Sequence, residues 1–275
     1  MNIRMKHSKK RRIFDLILLA SLPVWLYSCS NSLIFHPPHR SYQPTDNLVT
    51  IDVENDEKIA AFYLPADDDA FVILHSHGNA EDIGHLWDYV RCFKMEGFGV
   101  LAYDYRGYGL SDGRPSEQNT YKDIEAAYRH LVDEQKIDPQ RIIVHGRSVG
   151  SGPSVWLAAN HPVGGLVLIS PFLSAYRTRT YWPILPFDKY NNMSRIKNID
   201  CPLLVMHGRK DRVIGFRHGE KLYEAANEPK MCYWVDNAGH NDFLDVAWDD
   251  YWKTLHDFEK LVKQSQKQAG EGNAE

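Results

Sequence analysis

Three residues in this chain are of the types, and in the order, that acyl transfer through a serine requires. Ser148 sits in Gly146-Arg147-Ser148-Val149-Gly150, a G-x-S-x-G pattern. A serine hydroxyl is a weak nucleophile until a base takes its proton, and the base needs a carboxylate to orient it. Asp211 follows in His207-Gly208-Arg209-Lys210-Asp211, and His240 in Asn237-Ala238-Gly239-His240-Asn241. Serine, then acid, then histidine, the last two each just past a strand-like run, is the order used by serine sites built on a strand–turn–helix elbow. Ser148 therefore reads as the nucleophile, His240 as general base and then acid, and Asp211 as the orienting carboxylate. A loop aspartate or a histidine at a helix start is ordinary taken singly. Their joint placement with the serine motif carries the reading.

A tetrahedral intermediate also needs two backbone N–H donors for its oxyanion. Val149, next after the serine, supplies one. The loop after an early strand, His75-Ser76-His77-Gly78-Asn79, supplies the other through Asn79 N–H. His77 reads as a brace that hydrogen-bonds within this loop. His75 and His77 also form an H-x-H pair, but no third ligand is evident, so neither a metal nor a cofactor is expected. Asp67-Asp68-Asp69 reads as a solvated loop. Asp104 lies past a strand end, and its glycine-rich neighbours suggest a structural turn instead of the catalytic acid.

The elements that must position these residues are legible around them. Ile142-Ile143-Val144 is a β-branched run, read as a buried strand, and Ser151 to Asn160 reads as a helix. Gly146 and Gly150 relieve the crowding of a sharp turn with serine at its apex. The helix after it points its N-terminus at the serine, which favours negative charge there. Leu48–Val53 and Ile59–Leu64 alternate around Asn55-Asp56 as an antiparallel hairpin. From residue 70 onward strands and helices alternate. Strands are expected at Ala70–Leu74, Gly99–Tyr103, Leu166–Ile169, Leu203–Met206 and Met231–Val235, and helices at Glu81–Met95, Ser116–Gln135, Phe216–Asn227 and Asp242–Val262. Continuous apolar strands alternating with helices imply a mainly parallel sheet covered on both faces. Boundaries follow: 1–28 a leader, 29–47 a lead-in, 48–263 one domain with a short lid at about 171–200, and 264–275 a disordered tail.

The 275 residues are 43% hydrophobic and 25% charged, ordinary for one globular domain. The net charge of −4 hides an asymmetry: residues 1–28 hold six of the 32 basic side chains and one of the 36 acidic ones, leaving 26 against 35 in the body. An acidic body argues against a nucleic-acid partner. Lys6 to Arg12 is a basic run and Leu16 to Tyr27 an apolar run of 12 residues, too short to span a bilayer and read as a signal peptide. Leu26-Tyr27-Ser28-Cys29 then resembles the lipobox of bacterial lipoproteins, with Tyr27 departing from the usual small residue. That resemblance implies lipidation of Cys29, attachment to a membrane through it, and a bacterial cell-envelope location. Ser30 resembles the sorting pattern of an outer-membrane lipoprotein facing the periplasm. An uncleaved inner-membrane anchor is the alternative. Cys92, Cys201 and Cys232 would remain, enough for one disulfide at most.

Taken together, His77-Gly78-Asn79-Ala80, Asp104 to Ser111, Gly146 to Gly150, His207 to Asp211 and Gly239 to Asp242 resemble the α/β-hydrolase superfamily, nearest to its bud-emergence-type and protein-depalmitoylase-like serine hydrolase branch. The resemblance runs from about Phe35 to Val262. It implies an α/β-hydrolase fold: a mainly parallel central sheet with an N-terminal antiparallel hairpin, helices on both faces and a short lid. It also implies hydrolysis of ester or thioester bonds through an acyl-serine intermediate, with a small-molecule or lipid acyl substrate. Tyr181, Trp182, Ile184, Leu185 and Phe187 are then an acyl-binding wall or ordinary packing over the sheet edge, and Arg177 and Arg179 meet an anionic head group or lie on a solvated surface. A peptidase of the same fold, and an envelope lipoprotein using the fold only to bind a partner, are the competing readings. The intact serine, acid and histidine disfavour the second.

Overall fold

The computed structural model describes residues 31–32, 34–178 and 188–272. The chain divides into two units, Met1–His36 and Pro37–Glu275. In the first, the described residues include a turn in which Phe35 N–H donates to Asn31 C=O at 2.8 Å. The basic run, the apolar run and Cys29 lie outside the described residues.

The second unit is built on one sheet of eight strands, in the order β1-β2-β4-β3-β5-β6-β7-β8. β1 (Leu48–Asp52) and β2 (Lys58–Leu64) are antiparallel, and β2 pairs antiparallel with β4 (Gly99–Tyr103). β3 (Val72–Ser76), β4, β5 (Ile142–Arg147), β6 (Gly165–Ile169), β7 (Leu203–Gly208) and β8 (Lys230–Val235) run parallel. This is the expected α/β-hydrolase architecture. The hairpin closes as sequence predicts, with Asn55 and Asp56 both left-handed at φ 51° and 60°. That pair of angles matches the right-handed twist of the strands on either side.

The inner strands are buried at every position because both faces are covered. On one face Ile73, Val100, Ile143, Val167 and Leu204 join a cluster with Tyr89, Val90 and Phe93 of α1 (Trp87–Met95) and Tyr251, Leu255 and Phe258 of α6 (Phe243–Gly272). The close packing shows at Gly165, where an added Cβ would stand 3.0 Å from the Phe258 ring and from Val262. On the other face lie α2 (Glu117–Arg129) and α3 (Ser151–Asn160). α2 starts at the expected cap: Ser116 Oγ accepts Asn119 N–H at 3.1 Å.

Three boundaries move. The first helix begins at Trp87, not Glu81, because the side chains of Glu81 and Asp82 are taken by partners both near and far in sequence. Asp82 accepts Ser41 N–H at 2.8 Å and His85 N–H at 3.1 Å, and residues 83–86 form turns. α2 ends its regular part at Arg129, and its last turn widens over His130–Glu134. The tail expected to be disordered from Gln264 instead continues α6 to Gly272. Its Gln, Lys, Ala and Glu residues are good helix formers. The Lys263–Glu259 pair at 2.6 Å and the bond from Gln266 Nε2 to Gln140 C=O at 2.7 Å add local support that an apolar count does not register.

The lid segment is described at its two ends only. Asp188 accepts the Ser174 hydroxyl and Tyr176 N–H (2.9 Å), and Ala175 N–H donates to Lys189 C=O at 2.8 Å. The two ends are thus clasped together. Tyr190 then pins the clasp to the body. Its hydroxyl pairs with Thr120 Oγ1 at 2.8 Å, its N–H donates to Glu117 at 2.7 Å, and its ring fills the space beside Gly152. A short α4 (Asn192–Arg195) precedes β7, and α5 (Arg217–Ala225) lies between β7 and β8. Tyr181, Trp182, Ile184, Leu185, Phe187 and Arg179 lie outside the described residues.

Candidate active site

β5 delivers Ser148 into the turn before α3. Ser148 is left-handed, φ +52°, a strained conformation for a residue with a side chain. The two flanking glycines allow it. A Cβ on Gly146 would stand 2.5 Å from Ser154 Oγ and 2.6 Å from Gly150 C=O, and one on Gly150 would stand 2.2 Å from Ser76 C=O. The second contact matters twice. It presses the elbow against the end of β3 and sets Gly150, two after the serine, beside the carbonyls of Ser76 and His77.

The structure brings Ser148, Asp211 and His240 together from three separate loops. His240 Nε2 lies 3.0 Å from Ser148 Oγ, and His240 Nδ1 lies 2.7 Å from Asp211 Oδ2. Asp211 Oδ1 accepts the N–H groups of Val213 and Ile214, both at 2.8 Å. A carboxylate only accepts, so His240 Nδ1 carries the proton and Nε2 is left to accept from the serine hydroxyl. Burial pushes the Asp211 carboxyl up. Hydrogen bonds from His207, His240 and Ile214 N–H outweigh that and hold it well below the usual carboxylate range. It is therefore ionised at neutral pH.

The proposed oxyanion loop is fixed at each residue. Tyr105 OH donates to His77 C=O at 2.6 Å, Gly78 N–H to Glu81 Oε1 at 2.6 Å, and Tyr108 OH to Asn79 Oδ1 at 2.7 Å. His77 does hydrogen-bond within the loop, its Nδ1 standing 2.6 Å from Gly78 C=O. Asp104 is the structural turn residue that its glycines suggest. It is fully buried and accepts Ile83 N–H at 3.0 Å and the Tyr42 hydroxyl, and Gly109 leaves room for its carboxylate.

The H-x-H pair divides between two environments. His75 turns into the core, Nδ1 to Nδ1 with His145 at 2.8 Å, while His77 Nε2 faces Asp104 at 3.3 Å. Burial drives His145 down to about 3, so it is a neutral core side chain. Among the described residues no group of histidine, cysteine and carboxylate side chains is arranged to hold a metal. Cys92, Cys201 and Cys232 are free thiols.

Sequence reasoning passed over three participants. His207 sits fully buried behind the acid, its Nε2 2.8 Å from Ile214 C=O and 3.3 Å from Asp211 Oδ2. Its four-residue spacing from Asp211 was the available signal. Arg147, the variable residue before the serine, donates to both oxygens of Glu81 at 2.9 and 3.1 Å. Glu81 is thereby the joint between the elbow and the oxyanion loop, though in sequence it reads only as a helix start. Arg177 stands beside α5, where its C=O accepts from Arg217 Nη2 at 3.4 Å.

Residues 67–189 match the family described as serine aminopeptidase, S33. The human alpha/beta hydrolase domain-containing protein 17B is 38% identical over 193 residues, which is 67% of this chain and 66% of the relative. The chain thus spans just under two thirds of that protein's length. Alpha/beta hydrolase domain-containing protein aho-3 of Caenorhabditis elegans is 33% identical over an alignment of 277 positions, covering 89% of this chain and 82% of the relative. Among solved structures, the Pyrococcus furiosus esterase Pf2001 superposes with a TM-score of 0.71 at 20% identity, over 84% of this chain and 98% of that one. At that identity the likeness speaks to fold.

Proposed function

The chain belongs to the α/β-hydrolase domain-containing family, and from that premise we propose a serine hydrolase that cleaves ester or thioester bonds of acyl substrates. One observation carries the proposal: Ser148, His240 and Asp211 form a continuous chain of contacts at 3.0 and 2.7 Å from three separate loops. Ser148 Oγ attacks the acyl carbonyl while His240 Nε2 takes its proton. Asp211 keeps His240 in the tautomer that can do so and stabilises the imidazolium that forms. The oxyanion is held by the N–H groups of Asn79 and Val149. His240 then returns the proton to the leaving alcohol or thiol, and water, activated by the same histidine, releases the acid. The test is labelling by a fluorophosphonate probe, expected for the wild type and absent in Ser148→Ala. An unlabelled wild type would leave the binding-module reading.

The apolar sequence from Tyr181 to Phe187 supports a role in binding the acyl part of the substrate. Each methylene buried there contributes roughly 0.8 kcal/mol, so kcat/KM should rise from acetyl to about C4–C8 esters. Trp182→Ala should flatten that rise, read in a chain-length series on both proteins. A peptidase is the second reading, favoured by the description of the matching family. Faster turnover of an aminoacyl p-nitroanilide than of the p-nitrophenyl ester would select it.

We also propose that Cys29 is lipidated and ties the enzyme to a bacterial envelope membrane. Leu26-Tyr27-Ser28-Cys29 after a basic and an apolar run supports this, and Ser30 supports an outer-membrane address facing the periplasm. Two or more acyl chains on one cysteine suffice for stable anchoring. The intact mass should begin at Cys29 and include them. A mature protein still carrying Lys6 to Arg12 would mean an uncleaved anchor instead.

A further inference from the structure

Gly78 C=O and Asn79 N–H belong to one amide group, and a side chain acts on its carbonyl end. Gly78 C=O faces His77 Nδ1 at 2.6 Å. A carbonyl oxygen can only accept, so Nδ1 carries a proton. The other ring nitrogen, Nε2, stands 3.3 Å from Asp104 Oδ1, off the line of an ideal hydrogen bond but within a charge pair. Asp104 already accepts Ile83 N–H and the Tyr42 hydroxyl, which marks it as a carboxylate. A bare lone pair on Nε2 would stand 3.3 Å from that anion. A proton on Nε2 removes the clash and makes the ring a cation. Both side chains are fully buried, where opposite charges attract far more than in water.

We propose that His77 is held as an imidazolium by Asp104 and that it polarises the Gly78–Asn79 peptide, making Asn79 N–H a stronger donor to the oxyanion. This rests on the serine-hydrolase reading above. Drawing electron density toward an amide oxygen leaves its N–H more positive, and bonds linked through one amide reinforce each other by roughly 10–30%. A cationic donor is the stronger kind. His77 is thus a positioning residue that acts through the backbone and touches no substrate. The preceding amide is held too: Gly78 N–H donates to Glu81 Oε1, which lies 2.5 Å from where a Gly78 Cβ would stand. No larger residue fits without moving that carboxylate.

The charges around His77 favour the cation. Asp104 faces it from the loop after β4, and Glu81, paired with Arg147, from beyond the oxyanion loop. Tyr105 and Tyr108 pack their rings at 4.3 and 5.4 Å. His75 on β3 is neutral, its own proton affinity driven down first by burial. Burial also works against charge on His77, but Asp104 and Glu81 outweigh it and raise its pKa above the ordinary histidine value. The charged form is therefore complete below the ordinary value and is lost only as pH rises through the raised one.

The experiment uses the full chain labelled with ¹⁵N-histidine, the His77 signals being identified by their absence in His77→Gln. Both ring nitrogens should show imidazolium shifts at pH 7. A neutral His77 there overturns the proposal whether or not any variant folds. Asp104→Asn keeps an acceptor for Tyr42 or Ile83 but removes the charge. It should lower kcat for a p-nitrophenyl ester roughly tenfold, less than the 10²–10³ for losing an oxyanion donor outright, with KM nearly unchanged. The alkaline fall of kcat should move to lower pH by about a unit or more. A folded Asp104→Asn with the wild-type pH profile also overturns it. Fluorophosphonate labelling separates the two readings. A labelled wild type with neutral His77 removes the polarisation alone, whereas an unlabelled wild type removes the hydrolase and the polarisation together.

Discussion

Two histidine–aspartate pairs stand on the same rim of the sheet and differ in what the second ring nitrogen meets. In one, His240 Nδ1 bonds Asp211 at 2.7 Å and Nε2 reaches the Ser148 hydroxyl at 3.0 Å. In the other, His77 Nε2 faces Asp104 at 3.3 Å and Nδ1 is spent on Gly78 C=O. The first keeps 9% of the histidine side chain exposed, the second none, and that decides their work. A base must exchange its proton with something that enters and leaves, so one nitrogen must end at a reactive group. A ring whose two nitrogens are both committed to the protein can only hold charge and geometry. The same residue types therefore supply a moving proton in one place and a fixed field in the other.

The contrast breaks most sharply at the working pair. Ser148→Ala or His240→Ala should cut ester turnover by about 10⁴ or more with the fold retained, read by kinetics and thermal melting. Undiminished turnover in Ser148→Ala would sink the mechanism. Asp211→Asn should come next, with a loss on the order of 10³–10⁴, because an amide no longer enforces the Nδ1–H tautomer. The same variant has a pH signature. Asp211 is depressed in the folded state, so its contribution to stability is present above the ordinary carboxylate value and is lost as pH falls through the lower, folded one. The stability gap between wild type and Asp211→Asn should shrink in urea titrations below about pH 4.

Smaller effects sharpen the second pair. Glu81→Gln leaves Gly78 N–H an acceptor but removes the charge partner of Arg147. A roughly tenfold fall in kcat at steady KM is expected, a fraction of the loss of a full oxyanion donor, and an unchanged kcat would confine Glu81 to folding. Tyr42→Phe takes one donor from Asp104. It should cost about 1–3 kcal/mol of stability and alter turnover only a few-fold. A larger kinetic than thermodynamic effect would place Tyr42 closer to the chemistry than this geometry allows.

What could be read in the chain beforehand follows from where the information lies. The elbow, the acid loop and the histidine loop are local: each is a short pattern at a strand end, and the parallel sheet follows from continuous β-branched runs. Glu81 shows the limit. Its type and position suit the first turn of a helix, and only the folded chain brings Arg147 to it, so tertiary demand overrides propensity. Asp82 and Tyr42 are similar, tied to residues 41 and 62 positions away. The far end of α6 failed in the opposite sense. It lacks an apolar stripe, yet good helix formers and spaced charges continue a helix already nucleated by Phe243 to Val262, and extension needs far less than initiation.

The clasp between Ser174–Tyr176 and Asp188–Lys189 makes the span between them a cassette. Because its two ends are joined to each other and pinned through Tyr190 to α2, the sheet and the reacting groups need not register what hangs from them. Lengthening a loop whose ends are already closed is cheap, about 0.6 kcal/mol for each doubling. Chains of other lengths could therefore be grafted between residues 178 and 188 on an unchanged frame.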